Sequence, residues 1–273
     1  IEAMFNLGLI YLTGDGAKQD YTKAKEWFLK AANKNDTMSA YNLALIYKNG
    51  LGVPKNDKEA YKYFLIAANK NYAQAQYMLG TMVEKGQGAK KDLKEAFSWF
   101  LKAAKQGHIL SEYRVGKMYR LGEGVAKNDT EAKKWYELSA NKGNAFAQVN
   151  LGMMYKQGVA TKQDYKEAFN WFEKSANQKN ILGQLNLALM YQNGLGVEKD
   201  LKEAFKLYQL ASDEGNSSNA QYNLGLMYLK GDGIEKNIDK TIEYWIKSSE
   251  QGFEVAKNSL EKLCKESPNS CKK

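Results

Sequence analysis

The nine-residue block Ala3-Met4-Phe5-Asn6-Leu7-Gly8-Leu9-Ile10-Tyr11 constrains this chain more than any other feature, because it keeps returning. It recurs from Ser39, Ala75, Ser111, Ala147, Gly183 and Ala220, at a spacing of 36 residues with one step of 37 at the Ser217-Ser218 insertion. Seven full copies and a fragment from Ala256 account for the 273 residues. A period of this length marks a stacked repeat architecture, in which one supersecondary unit cannot bury its apolar face alone and leans on its neighbours.

Each unit reads as two helices. Ala3, Leu7, Ile10 and Tyr11 fall on one face of an amphipathic helix. A Gly-x-Gly turn follows, at Gly14/Gly16, Gly50/Gly52, Gly86/Gly88, Gly122/Gly124, Gly194/Gly196 and Gly231/Gly233; the fifth copy departs, with Gly158 but Ala160. Glycine suits a helix end that needs a left-handed residue. Then comes an Asp or Asn (Asp20, Asn56, Asp92, Asn128, Asp164, Asp200, Asn237), the side-chain type that caps a helix start. The second helix packs through Ala24, Trp27, Phe28 and Ala31 and their counterparts, small residues for close approach and aromatics to fill the gap.

Several chemistries are excluded or disfavoured. The glycines fall in the repeat register, and no GxxxxGK[ST] or GxGxxG stands between a strand and a helix. The single histidine, His108, excludes a histidine-rich metal site and a triad, and reads as an exposed loop residue. Glu59, Glu95, Glu131, Glu167 and Glu203 recur at equivalent positions, where a catalytic carboxylate pair should break the repeat. Met82, Met118, Met154, Met190 and Met227 share a position held by Ile10 and Ile46 in other copies, which says core packing rather than ligation. No cofactor and no metal is expected. No apolar run approaches the roughly 20 residues of a membrane helix. The net charge of +9 comes from scattered lysines and reads as a solvated surface.

The two cysteines, Cys264 and Cys271, are not spaced as a CxxC redox or zinc pair. A turn at Pro268 would close a short disulfide loop; the alternative is two free thiols in a frayed tail. The bridge would imply an oxidising compartment, periplasmic or secreted, with a cytoplasmic location as the alternative. Whether a targeting segment precedes Ile1 is left open.

The pattern A-x-Y-x-L-G-x-x-Y-x-x-G-x-G-V-x-x-D followed by a K/E-A-x-x-W-F-x-K-A-A helix resembles the Sel1-like repeat family, relatives of the tetratricopeptide repeats. Ala75-Gln76-Tyr77-Met78-Leu79-Gly80 and the segment from Ala220 to Tyr228 carry the resemblance most clearly. It covers essentially the whole chain and implies an all-α, right-handed α-α superhelix, a single solenoid over residues 1–273. Residues 256–273 would form a capping helix and tail, since Glu261 stands where the first unit has Gly8.

By that resemblance the first helices line a concave groove. Positions 2, 6, 9 and 13 of the first helix form one stripe. Position 6 holds Asn6, Asn42, Asn150, Asn186 and Asn223, with Met78 and Arg114 as exceptions beside Tyr77 and Tyr113. An asparagine amide can both donate to and accept from an extended peptide, or it can bond within its own repeat; both readings stay open. Arg114, Lys117 and Arg120 make a basic strip suited to a carboxylate, or a merely solvated face. Leu110, Phe146 and Leu182 would form an apolar patch if exposed.

These features lead to a non-catalytic scaffold, a monomer when unbound, that takes a protein or peptide partner through Asn42, Tyr77, Tyr113, Arg114, Lys117, Phe146, Asn150, Asn186 and Asn223. The resemblance sharpens this to an immunity protein blocking a secreted effector toxin. It also carries a rival, a cell-wall or β-lactam hydrolase like the cysteine-rich relatives, although this chain lacks their cysteine in every repeat. A basic surface for nucleic acid or anionic membrane is the third reading.

Overall fold

The computed structural model describes residues 1–267 and Cys271; the turn expected at Pro268 lies outside the described residues. Those residues form helices and no strand. They divide into two compact units, Ile1–Ser139 and Ala140–Lys273.

The first unit contains α1 (Glu2–Thr13), α2 (Tyr21–Ala32), α3 (Thr37–Asn49), α4 (Asp57–Asn69), α5 (Ala73–Lys85), α6 (Leu93–Lys105), α7 (Ile109–Leu121) and most of α8 (Asp129–Asn141). The second contains α9 (Ala145–Gln157), α10 (Tyr165–Ala176), α11 (Ile181–Asn193), α12 (Leu201–Asp213), α13 (Ser218–Lys230), α14 (Ile238–Glu250) and α15 (Glu254–Glu266). Odd-numbered helices are the first helices of the repeats and even-numbered ones the second. In each unit a first helix packs on its own second helix, which packs on the next first helix.

Local chemistry sets the helix limits. Gly14, Gly50, Gly86, Gly122, Gly158, Gly194 and Gly231 end the first helices in the left-handed region. The second glycine of the turn has a different task. A Cβ on Gly88 would collide with the Asp57 carbonyl oxygen, so the turn can press onto the start of the preceding repeat's second helix only without a side chain. The Asp or Asn caps act as the sequence predicts: Asp92 Oδ1 accepts from the backbone N–H of Lys94 and Glu95, and Asp200 Oδ1 from Lys202 and Glu203.

The core is repetitive too. Phe28, Phe64, Phe100 and Tyr136 in the first unit, and Phe172, Tyr208 and Trp245 in the second, occupy one second-helix position and are buried. Gly8, Gly80, Gly116, Gly152 and Gly225 bring their helix backbones against these rings. Trp135, expected as a core residue, is only half-buried; the adjacent Tyr136 takes the interior place. The five methionines sharing one position are buried, as packing predicts. Lysines lie over the outer aromatics: Lys30 Nζ is 4.3 Å from the Trp27 ring centroid, Lys102 3.9 Å from that of Trp99, and Lys174 4.1 Å from that of Trp171.

Candidate partner-docking face

In each unit the first helices leave large apolar side chains partly exposed. In the first unit Met38 and Leu110, at the second position of their repeats, are 43% and 44% exposed. In the second unit Phe146 and Leu182, at the same position, are 52% and 50% exposed. Within each unit the same register position thus leaves two large apolar side chains partly in water, with Gln74 between Met38 and Leu110 in the first and Phe146 and Leu182 on successive first helices in the second.

The position-6 asparagines sit one turn further on; Asn42, Asn150, Asn186 and Asn223 are half-buried and Asn6 is exposed. Asn42 Nδ2 donates to the Met38 carbonyl at 2.9 Å, Asn150 to Phe146 at 2.8 Å and Asn186 to Leu182 at 2.8 Å. Each amide therefore bonds back within its own helix to the residue that carries the exposed apolar side chain. This is the intra-repeat bonding that the sequence left as one of two readings. It fixes the amide orientation and turns the Oδ1 acceptor away from the helix backbone. Asn223 is half-buried at the same position.

Charge at the face is smaller than the sequence suggests. Arg114 forms an ion pair with Glu84 of α5 and lies 5.1 Å over the Phe100 ring. Arg120 bonds Asp129 Oδ1 at 2.9 Å. Two of the three basic residues are paired within the unit, because carboxylates from α5 and α8 reach them. Lys117 is half-buried on the same helix. Tyr77 packs on Phe100 and His108, with ring centroids 5.8 and 5.0 Å away, and Tyr113 on Tyr136 at 6.1 Å. These tyrosines serve interior packing as well as any contact they offer outward.

His108 is not an exposed loop residue. It is the N-cap of α7, half-buried, and bonds both along and across the repeats. Glu84 is the charge partner of Arg114 that sequence reasoning missed. Its signal was present: Glu84 is the one acidic residue at its repeat position, and Arg114 the one arginine at its own, in adjacent repeats. Cys264 on α15 and Cys271 stand in bridging geometry, with Cα atoms 5.6 Å apart.

The Sel1 repeat family model matches residues 1–36, 37–72, 73–108, 109–144, 145–180, 181–216 and 218–253. Among solved structures the chain is similar to a protective antigen of uropathogenic Escherichia coli displaying an SLR fold, with 35% identity and a TM-score of 0.88 over 96% of this chain. It spans 56% of the length of that protein. It is also similar to a Sel1 repeat protein from Oxalobacter formigenes, with 28% identity and a TM-score of 0.79, covering 96% of this chain and 75% of the other. An immunity protein from Pseudomonas aeruginosa is similar at 20% identity and a TM-score of 0.48, over 78% of this chain and 82% of the other, too remote to bear on function. No curated protein matches the chain.

Proposed function

The chain belongs to the Sel1 repeat family, and from that premise we propose that it is a non-catalytic interaction scaffold that docks a protein or peptide partner on its first-helix faces. The observation that supports this reading is the apolar exposure on the first helices of each unit, Phe146 and Leu182 on successive first helices of the second unit above all, and Met38 and Leu110 in the first. Desolvating such side chains is the main source of binding energy at protein interfaces, and a ring such as Phe146 makes a natural anchor. The asparagines beside them, their orientation fixed by the bond to the helix, add an acceptor without the cost of ordering a mobile side chain.

The finer reading is an inhibitor of immunity type against a secreted effector, acting in the periplasm or outside the cell. The Cys264 and Cys271 geometry supports an oxidising compartment. The pairing of Arg114 and Arg120 with carboxylates favours a protein partner over a polyanion, because it removes fixed positive charge from the face.

Binding of the purified protein to its isolated partner tests the reading. Phe146→Asp together with Leu182→Asp should weaken binding at least a hundredfold while thermal unfolding stays within a few degrees of the parent. Unaltered affinity would remove this face from consideration. Saturable hydrolysis of cell-wall or β-lactam substrates, lost on changing one acidic residue, would replace the scaffold reading with an enzymatic one.

A further inference from the structure

The net charge of +9 is not spread evenly along the chain. Residues 37–108, two of the seven repeats, hold eleven lysines against five carboxylates, so two-thirds of the excess falls in this stretch. Each of the five carboxylates is engaged. Asp57 lies 3.6 Å from Lys55, Glu59 3.4 Å from Lys62, and Glu84 pairs with Arg114. Asp92 caps α6, and Glu95 accepts from the Trp99 indole N–H at 3.2 Å. Lys58 and Lys90 form no ion pair among the described residues.

These lysines meet at one place. The turn between α3 and α4 and the turn between α5 and α6 flank an open cleft of about 610 Å³, lined by Lys55, Asp57, Lys58, Gly88 and Lys90 among others. Gly88, lacking a side chain, seats the second turn on the first residue of α4. That contact brings Lys90 of one repeat to the same cleft as Lys55 and Lys58 of the other. Asn56 Oδ1 already accepts from the Lys58 and Glu59 N–H groups, so the start of α4 has little hydrogen bonding left to offer. The binding capacity of the cleft lies in its ammonium groups. Lys48, on the last turn of α3, is held below the ordinary lysine value by burial and then by the charge of Lys85, with Asp57 opposing and Lys55 adding to the effect. Ammonium groups at this end of α3 and α5 thus repel one another, a repulsion that a bound anion relieves.

We propose that this cleft is a binding site for a small soluble ligand carrying more than one phosphate charge, held through Lys55, Lys58 and Lys90. Each ammonium group offers three donors and acts as a point charge, which suits phosphate oxygens. Asp57 competes for Lys55, so a monovalent anion gains little there, whereas a multiply charged one outweighs the carboxylate. The volume lies within the range of small-molecule sites, about 300–1,000 Å³, and leaves room for a second phosphate or an attached organic group. A small anion has no condensed counterions to release, so salt weakens it only by screening. The cleft lies at the opposite end of α3 from Met38, and the inference stands apart from the docking of a protein partner.

Pyrophosphate is the probe, titrated calorimetrically into the full chain at low salt, with sulfate for comparison. One saturable site is expected, with pyrophosphate bound more tightly than sulfate. Lys58→Gln together with Lys90→Gln should weaken pyrophosphate about tenfold or more, and Asp57→Asn should strengthen it. Lys166 and Lys202 hold the repeat position of Lys58 in the second unit; Lys166→Gln with Lys202→Gln should leave the affinity unchanged. No saturable binding, equal affinity for sulfate, or equal weakening by the second-unit pair would overturn the proposal. Phosphatidylglycerol vesicles should not retain the chain; retention lost in Lys58→Gln/Lys90→Gln would overturn it in favour of a lipid headgroup.

Discussion

At the scale of single residues, the repeat offers internal controls. Gln76, Gln148 and Gln221 are buried, and each accepts at Oε1 from the glutamine thirty residues on: Gln106 at 2.7 Å, Gln178 at 2.8 Å and Gln251 at 2.7 Å. Gln184 is buried in the same way, but its counterpart is Glu214, which has no proton to give and pairs with Lys179 at 3.2 Å instead. The Gln184 Oε1 is left without a partner. Glu214→Gln supplies the missing donor and removes a negative charge from the C-terminal end of α12. It gives up only an exposed ion pair of small worth. We expect a net gain of about 1 kcal/mol, measured by chemical denaturation; a loss would mean that the Lys179 pair outweighs the amide. Ala160 poses the second residue-scale question. It stands where six other repeats have glycine and holds φ at 54°, in the region that costs a Cβ about 1–2 kcal/mol. Ala160→Gly should stabilise by about 0.5–1 kcal/mol after the entropy of the freer unfolded chain is deducted. Equal or lower stability would place the strain elsewhere.

At the scale of helices, two kinds of energy combine. The second helices begin at carboxylate or amide caps and bury one aromatic each against a small residue of the first helix. Asp200→Ala removes two hydrogen bonds at 2.9 Å and should cost about 1 kcal/mol, visible as a lower denaturation midpoint. Phe100→Ala empties a fully buried site against Gly80 and should cost about 3–5 kcal/mol, enough to distort or unfold the first unit. Trp135→Ala should cost distinctly less, since that ring is half in water. The order Phe100 above Trp135 is the checkable content. The helix limits, the second-helix caps and most ring positions were legible in the sequence, because they depend on residues within one turn or one hairpin; the half-exposure of Trp135 was not. His108 was not: its neighbours in sequence, Gly107 and Ile109, suggest a loop, and its cap role emerges only with the i+3 amide and the α5 glutamine in place.

For the molecule as a whole, the sequence predicts a basic surface, a bridged tail and a docking face. Lysines over tryptophan faces and arginines paired with carboxylates show part of the +9 charge engaged locally. Any association should therefore weaken only modestly with salt, whereas a steep, near-linear fall of log affinity with log salt would indicate a polyanion. Thiol titration of unfolded, unreduced protein should find no free thiol, and two after reduction; thiols present before reduction would remove the argument for an oxidising compartment.

By itself the sequence determined the all-α repeat, its register, its turns and its buried ring positions, because a 36-residue period imposes the same short-range physics seven times. Only the tertiary structure decided what the repeat's exceptions do. Arg114 meets Glu84 and His108 reaches Gln74, while among the regular positions Asn150 bonds Phe146 rather than pointing freely outward. Such outcomes depend on the distance between stacked helices and on side-chain rotamers, neither of which a one-dimensional period records.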